Sequence, residues 1–175
     1  MKKIYKIIIL SILVINFNIL NLLADTPHVV DFKKILNESE AGKDAQKILK
    51  KKLTQTFDKF KKEEDQLKKD ENDLINKKKV ISGEEFKKEV TKIRSRVAKL
   101  QKNKKSSYDA IGKLRNDSKE KLLKLLNPII KKYMKDNNIR IILDKSSVIA
   151  GDLNLDITSQ VIVILNKEVK SLGIK

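Results

Sequence analysis

Leu74-Ile75-Asn76-Lys77-Lys78-Lys79-Val80-Ile81-Ser82-Gly83-Glu84-Glu85-Phe86-Lys87-Lys88-Glu89-Val90 is the stretch whose reading decides the fold. Charge-rich helical sequence enters it and leaves it, and Ser82-Gly83 interrupts the run. Before the interruption the apolar series is Leu49, Leu53, Phe57, Phe60, Leu67, Leu74 and Ile81; after it, Phe86, Val90, Ile93, Val97, Leu100, Ile111 and Leu114. Steps of three, four and seven are the spacing of a coiled-coil seam. The two series mirror each other. In a tight antiparallel hairpin the numbers of facing residues have a constant sum, and Leu74 with Val90, Leu67 with Val97, Phe57 with Ser107 and Leu53 with Ile111 each give 164. The pattern predicts one long helical hairpin with Ser82 as N-cap of the returning helix and Glu85 as the capping-box acid three positions on.

The arms extend from this turn for about 40 residues each, roughly 60 Å at the helical rise. Their seam is thin. In the mirrored register Glu64, Glu71 and Lys78 face Leu100, Ile93 and Phe86, and Phe60 faces Lys104. An arm packed so sparsely is expected to bend or fray near Phe57–Phe60.

Outside the arms the period changes. His28-Val29-Val30-Asp31-Phe32, Ile139-Arg140-Ile141-Ile142-Leu143 and Ser147-Val148-Ile149-Ala150 read as short strands. Asn137-Asn138 separates the returning helix from the second strand, and Gly151-Asp152 closes the third. Pro128 starts a new helical segment or kinks the returning one. Asp156 or Thr158 can cap a last helix with an apolar face of Val161, Leu165, Val169 and Leu172. The first strand is over 100 residues from the others, and only a fold-back brings them together. The expected class is therefore mainly α with a small β body (α+β): a long antiparallel coiled-coil hairpin projecting from a short-stranded oligomerisation body. Three short strands and one helix make a poor core with open edges, which a second copy would remedy. The organisation reads as a signal peptide over 1–24, the first strand and entry of the body over 25–44, the arm over 45–124 with its tip at 82–83, and the returning segment, strands and C-terminal helix over 125–175.

The N-terminus sets the compartment. Lys2, Lys3 and Lys6 precede an almost wholly apolar run, Ile7 to Leu23, that ends in Leu22-Leu23-Ala24. This is a secretory signal with cleavage after Ala24, pointing to the periplasm. An uncleaved anchor is the competing reading, which Asn16, Asn18 and Asn21 weaken. Cysteine is absent from the 175 residues, so a lipid anchor on a processed N-terminus and disulfide chemistry are both excluded. Cleavage removes three lysines and takes the formal charge from +17 to +14. Lysine supplies most of that surplus; Arg94, Arg96, Arg115 and Arg140 are the only arginines. Such a field attracts acidic partners in a salt-sensitive way.

The residue types needed for chemistry do not assemble. His28 is the only histidine, and with no cysteine present it cannot complete a nitrogen- or sulfur-rich zinc site. No phosphate loop, dinucleotide motif or nucleophile elbow occurs. Carboxylates are scattered among lysines as helix pairs such as Glu64–Lys68 and Glu84–Lys88. Asp144-Lys145-Ser146 reads as a strand turn rather than a Ser–Lys site. No catalytic residue, metal or cofactor is expected, and the chain reads as not an enzyme.

Two segments resemble a known family. Val30-Asp31-Phe32 with Ile35-Leu36-Asn37-Glu38-Ser39-Glu40-Ala41-Gly42-Lys43 resembles the opening of the Skp (OmpH-like) family of periplasmic chaperones. Ile142-Leu143-Asp144-Lys145-Ser146-Ser147-Val148 and Leu155-Asp156-Ile157-Thr158 resemble its aspartate-lysine-serine turn and capped last helix. The resemblance implies a homotrimer whose arms enclose a cavity for unfolded outer-membrane or envelope proteins, held without nucleotide. Client contact is then expected at Leu67, Leu74, Ile81, Phe86, Val90 and Val97, and Lys77, Lys78 and Lys79 would attract acidic clients or an anionic lipid surface. The body would associate through Val29, Val30, Phe32, Ile141, Leu143 and Val148. The rival readings are a structural coiled-coil spacer of the envelope and an anionic-surface or nucleic-acid binder. Secretion and the lack of aromatic interleaving argue against nucleic acid.

Overall fold

The computed structural model describes residues 26–174. The expected signal segment, residues 1–24, lies outside them. The order is β1 (His28–Val30), α1 (Phe32–Glu38), α2 (Glu40–Lys77), α3 (Gly83–Asp136), β2 (Ile142–Asp144), 3-10 turns at Lys145–Ser147 and Leu153–Leu155, and α4 (Thr158–Glu168). At the helical rise the 38 residues of α2 span about 57 Å and the 54 of α3 about 81 Å. They form the hairpin, and no helix among the described residues is long and apolar enough to cross a membrane.

The fold-back occupies 78–82. Val80 N donates to Lys77 O at 2.9 Å, and Ser82 is the N-cap of α3, its Oγ accepting from Glu85 N at 3.1 Å. Gly83 is therefore the first residue of the returning helix rather than part of the turn. α3 runs through Pro128 without a break, its length carrying it from arm into body. The proline leaves only the exposed Lys124 without its usual intrahelical donor. The helix ends as read: Asn137 is its C-cap and Asn138 takes a left-handed φ of 53°, a conformation asparagine tolerates.

The register departs from the mirrored pairing away from the tip. Lys78 Nζ lies 5.8 Å from the Phe86 ring centroid, as the sum of 164 requires. Deeper in the arm, Glu64 pairs with Lys104 at 2.7 Å, Asp70 with Arg96 at 2.5 Å, and Phe60 meets Tyr108 with centroids 6.4 Å apart. Those sums run from 166 to 168, up to one helical turn further. The shift replaces two mismatches, Glu64 against Leu100 and Phe60 against Lys104, by an ion pair and a buried cluster of Phe60, Leu67 and Leu100. The loose part of the arm also moves. Phe60 is buried and Phe57 is exposed, and none of residues 46–59 or 101–117 is buried. The thin stretch lies on the body side of Phe60.

The body core gathers Val30, Ile35, Ala41, Ala45, Leu122, Leu126, Ile129, Ile157, Val161, Leu165 and Leu172 from both ends of the chain. β1 and β2 pair in parallel, with Val29 opposite Leu143, and the hairpin acts as the crossover that parallel strands need. All three strand expectations are corrected. The second, read over 139–143, pairs only at Ile142–Asp144. Asp31 ends β1 early because its carboxylate accepts from Lys34 N at 2.8 Å and starts α1. The third strand, 147–150, does not form a ladder: Asp144 Oδ1 accepts from Ser146 N at 3.0 Å, turning the chain into a 3-10 segment, and Ile149 is left fully exposed. A corner between α1 and α2, unforeseen from the pattern, centres on buried Ser39, whose Oγ accepts from Gly42 N at 3.1 Å. The first N–H of α2, that of Glu40, donates to Asn166 Oδ1 of α4 at 2.8 Å, so both ends of the chain cap the arm.

Candidate functional site

The segments singled out by sequence converge. Lys145 Nζ meets Asp156 Oδ2 at 2.6 Å, and the other Asp156 oxygen accepts from Thr158 N at 2.9 Å and from the Thr158 hydroxyl. Thr158 Oγ1 in turn accepts from Asp31 N at 2.9 Å. Ile157 N donates to Val29 O at 3.0 Å, stitching α4 to β1. Neither Asp156 nor Thr158 is the N-cap of α4: that position is Ile157, which has no side-chain cap bond. Asp156 instead accepts from Thr158 N, the first residue of the helix, and Thr158 bridges to the first strand. Partial burial opposes ionisation of Asp156, but the hydrogen bonds from Lys145 and Thr158 outweigh it and hold the carboxyl down to about 2. A carboxylate held below its ordinary 3.8 stabilises the fold above about pH 4 and loses that contribution as pH falls towards 2. Asp156→Asn is expected to cost about 1–2 kcal/mol at neutral pH, after allowance for solvent screening. Urea unfolding of the two proteins should converge near pH 2.

The arm residues expected to contact a client divide. Leu67 and Leu74 are buried at 8 % and 9 % exposure, so they hold the hairpin together. Ile81, Phe86 and Val90 are half-buried, and Val97 is exposed. Lys77, Lys78 and Lys79 are exposed at the tip beside Val80, which is 79 % exposed. Acidic groups accompany them, because Asp70, Asp73, Glu85 and Glu89 line the same shallow groove as Lys77, Lys92 and Arg96. The Lys104 hydrogen bond lowers the Glu64 carboxyl from its ordinary value, and the Arg96 hydrogen bond does the same for Asp70. The middle of the arm is therefore cross-braced by charge.

Of the residues expected to associate the body, Val30 is fully consumed by the chain's own core and Phe32 packs on it. Ile141 and Leu143 are exposed, Val29 and Val148 half-buried. Ile149 and Leu153, not foreseen, add the most exposed apolar side chains of the body.

Two clefts lie at the root of the hairpin. One of about 650 Å³ has Phe32, Leu122, Leu123 and Leu126 among its walls, and one of about 370 Å³ includes Leu49, Leu53 and Ile111. Leu36, Arg115 and Lys119 line both. The sequence carried one signal for them. Leu122-Leu123 and Leu125-Leu126 put four leucines in five positions, more than one helical stripe can bury, so part of the set must face elsewhere.

A family profile described as outer membrane protein (OmpH-like) matches residues 28–165, from β1 to within α4. The chain belongs to the OmpH-like family. A solved structure from Caulobacter crescentus CB15, assigned as an outer membrane chaperone (OmpH-like), superposes with a TM-score of 0.77. It is 18 % identical and covers 83 % of this chain and 88 % of that one. At that identity the likeness fixes the OmpH-like fold, a helical hairpin on a small β-containing body. No curated protein matches the chain in sequence.

Proposed function

We propose that this OmpH-like chain is a non-enzymatic, nucleotide-independent holdase of the periplasm, exported by a cleaved signal, that keeps unfolded outer-membrane proteins from aggregating. The observation that carries the reading is the division of the molecule into a well-packed body and a long, lysine-rich hairpin with apolar side chains left exposed along it. A holdase needs many weak contacts that release without fuel, and such a surface offers them. Ile81, Phe86, Val90 and Val97 supply apolar contact, Lys77, Lys78 and Lys79 draw acidic clients or anionic lipid, and Leu67 and Leu74 brace the arm. Three copies associating through the bodies would face their arms across a cavity. The free edge of β2 and the exposed Ile141, Leu143, Ile149 and Leu153 favour that association.

The test is dilution of a urea-unfolded outer-membrane barrel protein into buffer containing the mature chain, followed by light scattering. Suppression at stoichiometric amounts is expected, weakening as salt screens the lysines. No suppression at several-fold excess overturns the reading. Leu143→Asp with Ile149→Asp is expected to shift the sedimentation coefficient to that of a monomer and to abolish suppression while leaving helicity intact.

A further inference from the structure

We infer that the cleft at the root of the hairpin is the anchoring site for the client, and that it takes an extended segment combining apolar side chains with a carboxylate. The inference rests on the holdase reading for the identity of its ligand. Its geometry stands apart from that reading. The larger cleft lies within the size range of small-ligand sites and has the usual character of one, an apolar floor with a few polar groups at its rim. Leu122 and Leu126 close the bottom and are buried, while Leu123 stands 37 % exposed on the wall. The rim charges are unequal in their freedom. Asp31 and Asp144 each accept a backbone N–H, from Lys34 and Ser146, and Lys145 is ion-paired with Asp156. Lys33, Arg115 and Lys119 form no ion pair among the described residues. Asp31 and Asp144 keep their negative charge, so the three unpaired cations leave the larger cleft a surplus of one, while the second cleft, walled by Lys50, Arg115 and Lys119, has no carboxylate in its lining.

That balance selects the occupant. An apolar segment gains by covering the leucines, and its carboxylate gains from a guanidinium able to bond it in two places. A second copy is a poorer complement, because the mature chain carries a formal charge of +14 (+17 less the three signal lysines) and would bring mostly lysine to clefts walled by Lys33, Lys50, Arg115 and Lys119. The seam residues cannot serve as well, since the best of them are already buried in the hairpin. An anchor at the root also leaves the whole arm free to close over the rest of a client.

The experiment is a fluorescence-anisotropy titration of the full mature protein. The two labelled peptides alternate apolar with acidic residues, or apolar with the corresponding amides. The acidic peptide is expected to bind roughly tenfold more tightly than its amide counterpart, as a desolvated charge-assisted contact allows. Arg115→Gln with Lys119→Gln should erase that difference. Lys99→Gln with Lys102→Gln removes the same charge from the arm and should preserve it. Leu123→Asp, at a part-exposed position, should weaken both peptides. A preference that survives Arg115→Gln with Lys119→Gln, or falls equally with the arm pair, means bulk charge alone and overturns the inference. So does a Leu123→Asp protein that changes sedimentation but not peptide affinity, since the cleft then holds another copy. Aggregation assays on the same proteins separate the two failures. Suppression by the unsubstituted chain with unaltered peptide binding in the variants removes the cleft alone. Cleft-dependent peptide binding without suppression removes the holdase alone.

Discussion

Gly42→Ala is expected to destabilise the body by about 3 kcal/mol, lowering its melting temperature by roughly 6–12 °C in a domain of this size. Gly42 lies in the first turn of α2, where the chain doubles back sharply from α1. A Cβ there would fall inside the van der Waals shell of the Leu36 carbonyl oxygen, 2.8 Å from Leu36 C and 2.9 Å from Ser39 Oγ. Two of these three atoms are backbone, which cannot swing aside as a side-chain end can. Relief would require opening the corner, and that would stretch the bond from Gly42 N to Ser39 Oγ and unseat buried Ile35 and Ala41. The same substitution at Gly112 has the opposite sign. Nothing lies within 4 Å of a Cβ at that mid-helix position, so Gly112→Ala should add about 0.5–1 kcal/mol through helix propensity alone. Thermal melts of the two variants, each followed by circular dichroism, check the pair together. Equal effects of either sign would mean that the corner is not tightly closed.

This contrast shows what the amino-acid pattern could and could not convey. Both glycines sit among helix-forming residues, and only the chain's return past Leu36 distinguishes them. The hairpin was legible because its determinants are local or symmetric: apolar spacing along each arm, Ser82 with Glu85 at the turn, Asn137-Asn138 at the exit. The convergence of the termini followed from that fold-back. The drift in pairing of up to one turn away from the tip was not legible, since it is decided by Tyr108 choosing Phe60 and by Lys104 choosing Glu64, pairings that apolar counting leaves out. Ser147–Ala150 failed as a strand because β-branched content records a preference for a pleated surface, and no neighbouring strand in the chain provides one. The cleft at the hairpin root was hidden for a third reason. Phe32 and Leu36 of α1 are far in sequence from Arg115 and Leu123 of α3, and only the fold-back and the α1–α2 corner bring the two pairs to one cleft.

Leu100→Ala is expected to loosen the arm by about 3 kcal/mol while leaving the body as stable as before. Leu100 is the α3 contribution to the arm's buried cluster, 4 % exposed against Phe60 and Leu67, and nothing buried links that cluster to the body across residues 46–59 and 101–117. Removing its side chain leaves a cavity that α2 could fill only by sliding along α3, which the Glu64–Lys104 and Asp70–Arg96 pairs oppose. Those pairs are only half-buried and hold geometry more than they add stability. The energetic loss therefore falls on a local opening rather than on global unfolding. Hydrogen exchange reads the difference directly. Amides from Phe60 to Leu74 and from Ile93 to Tyr108 should exchange about a hundredfold faster or more, whereas those of Val30, Ile35, Leu126 and Val161 should keep their protection. Uniform acceleration across both sets would show one cooperative core. An arm able to open on its own, fixed to a body that stays folded, is what a surface for clients of different size requires; in a single cooperative unit, accommodating a large client would cost the body its fold.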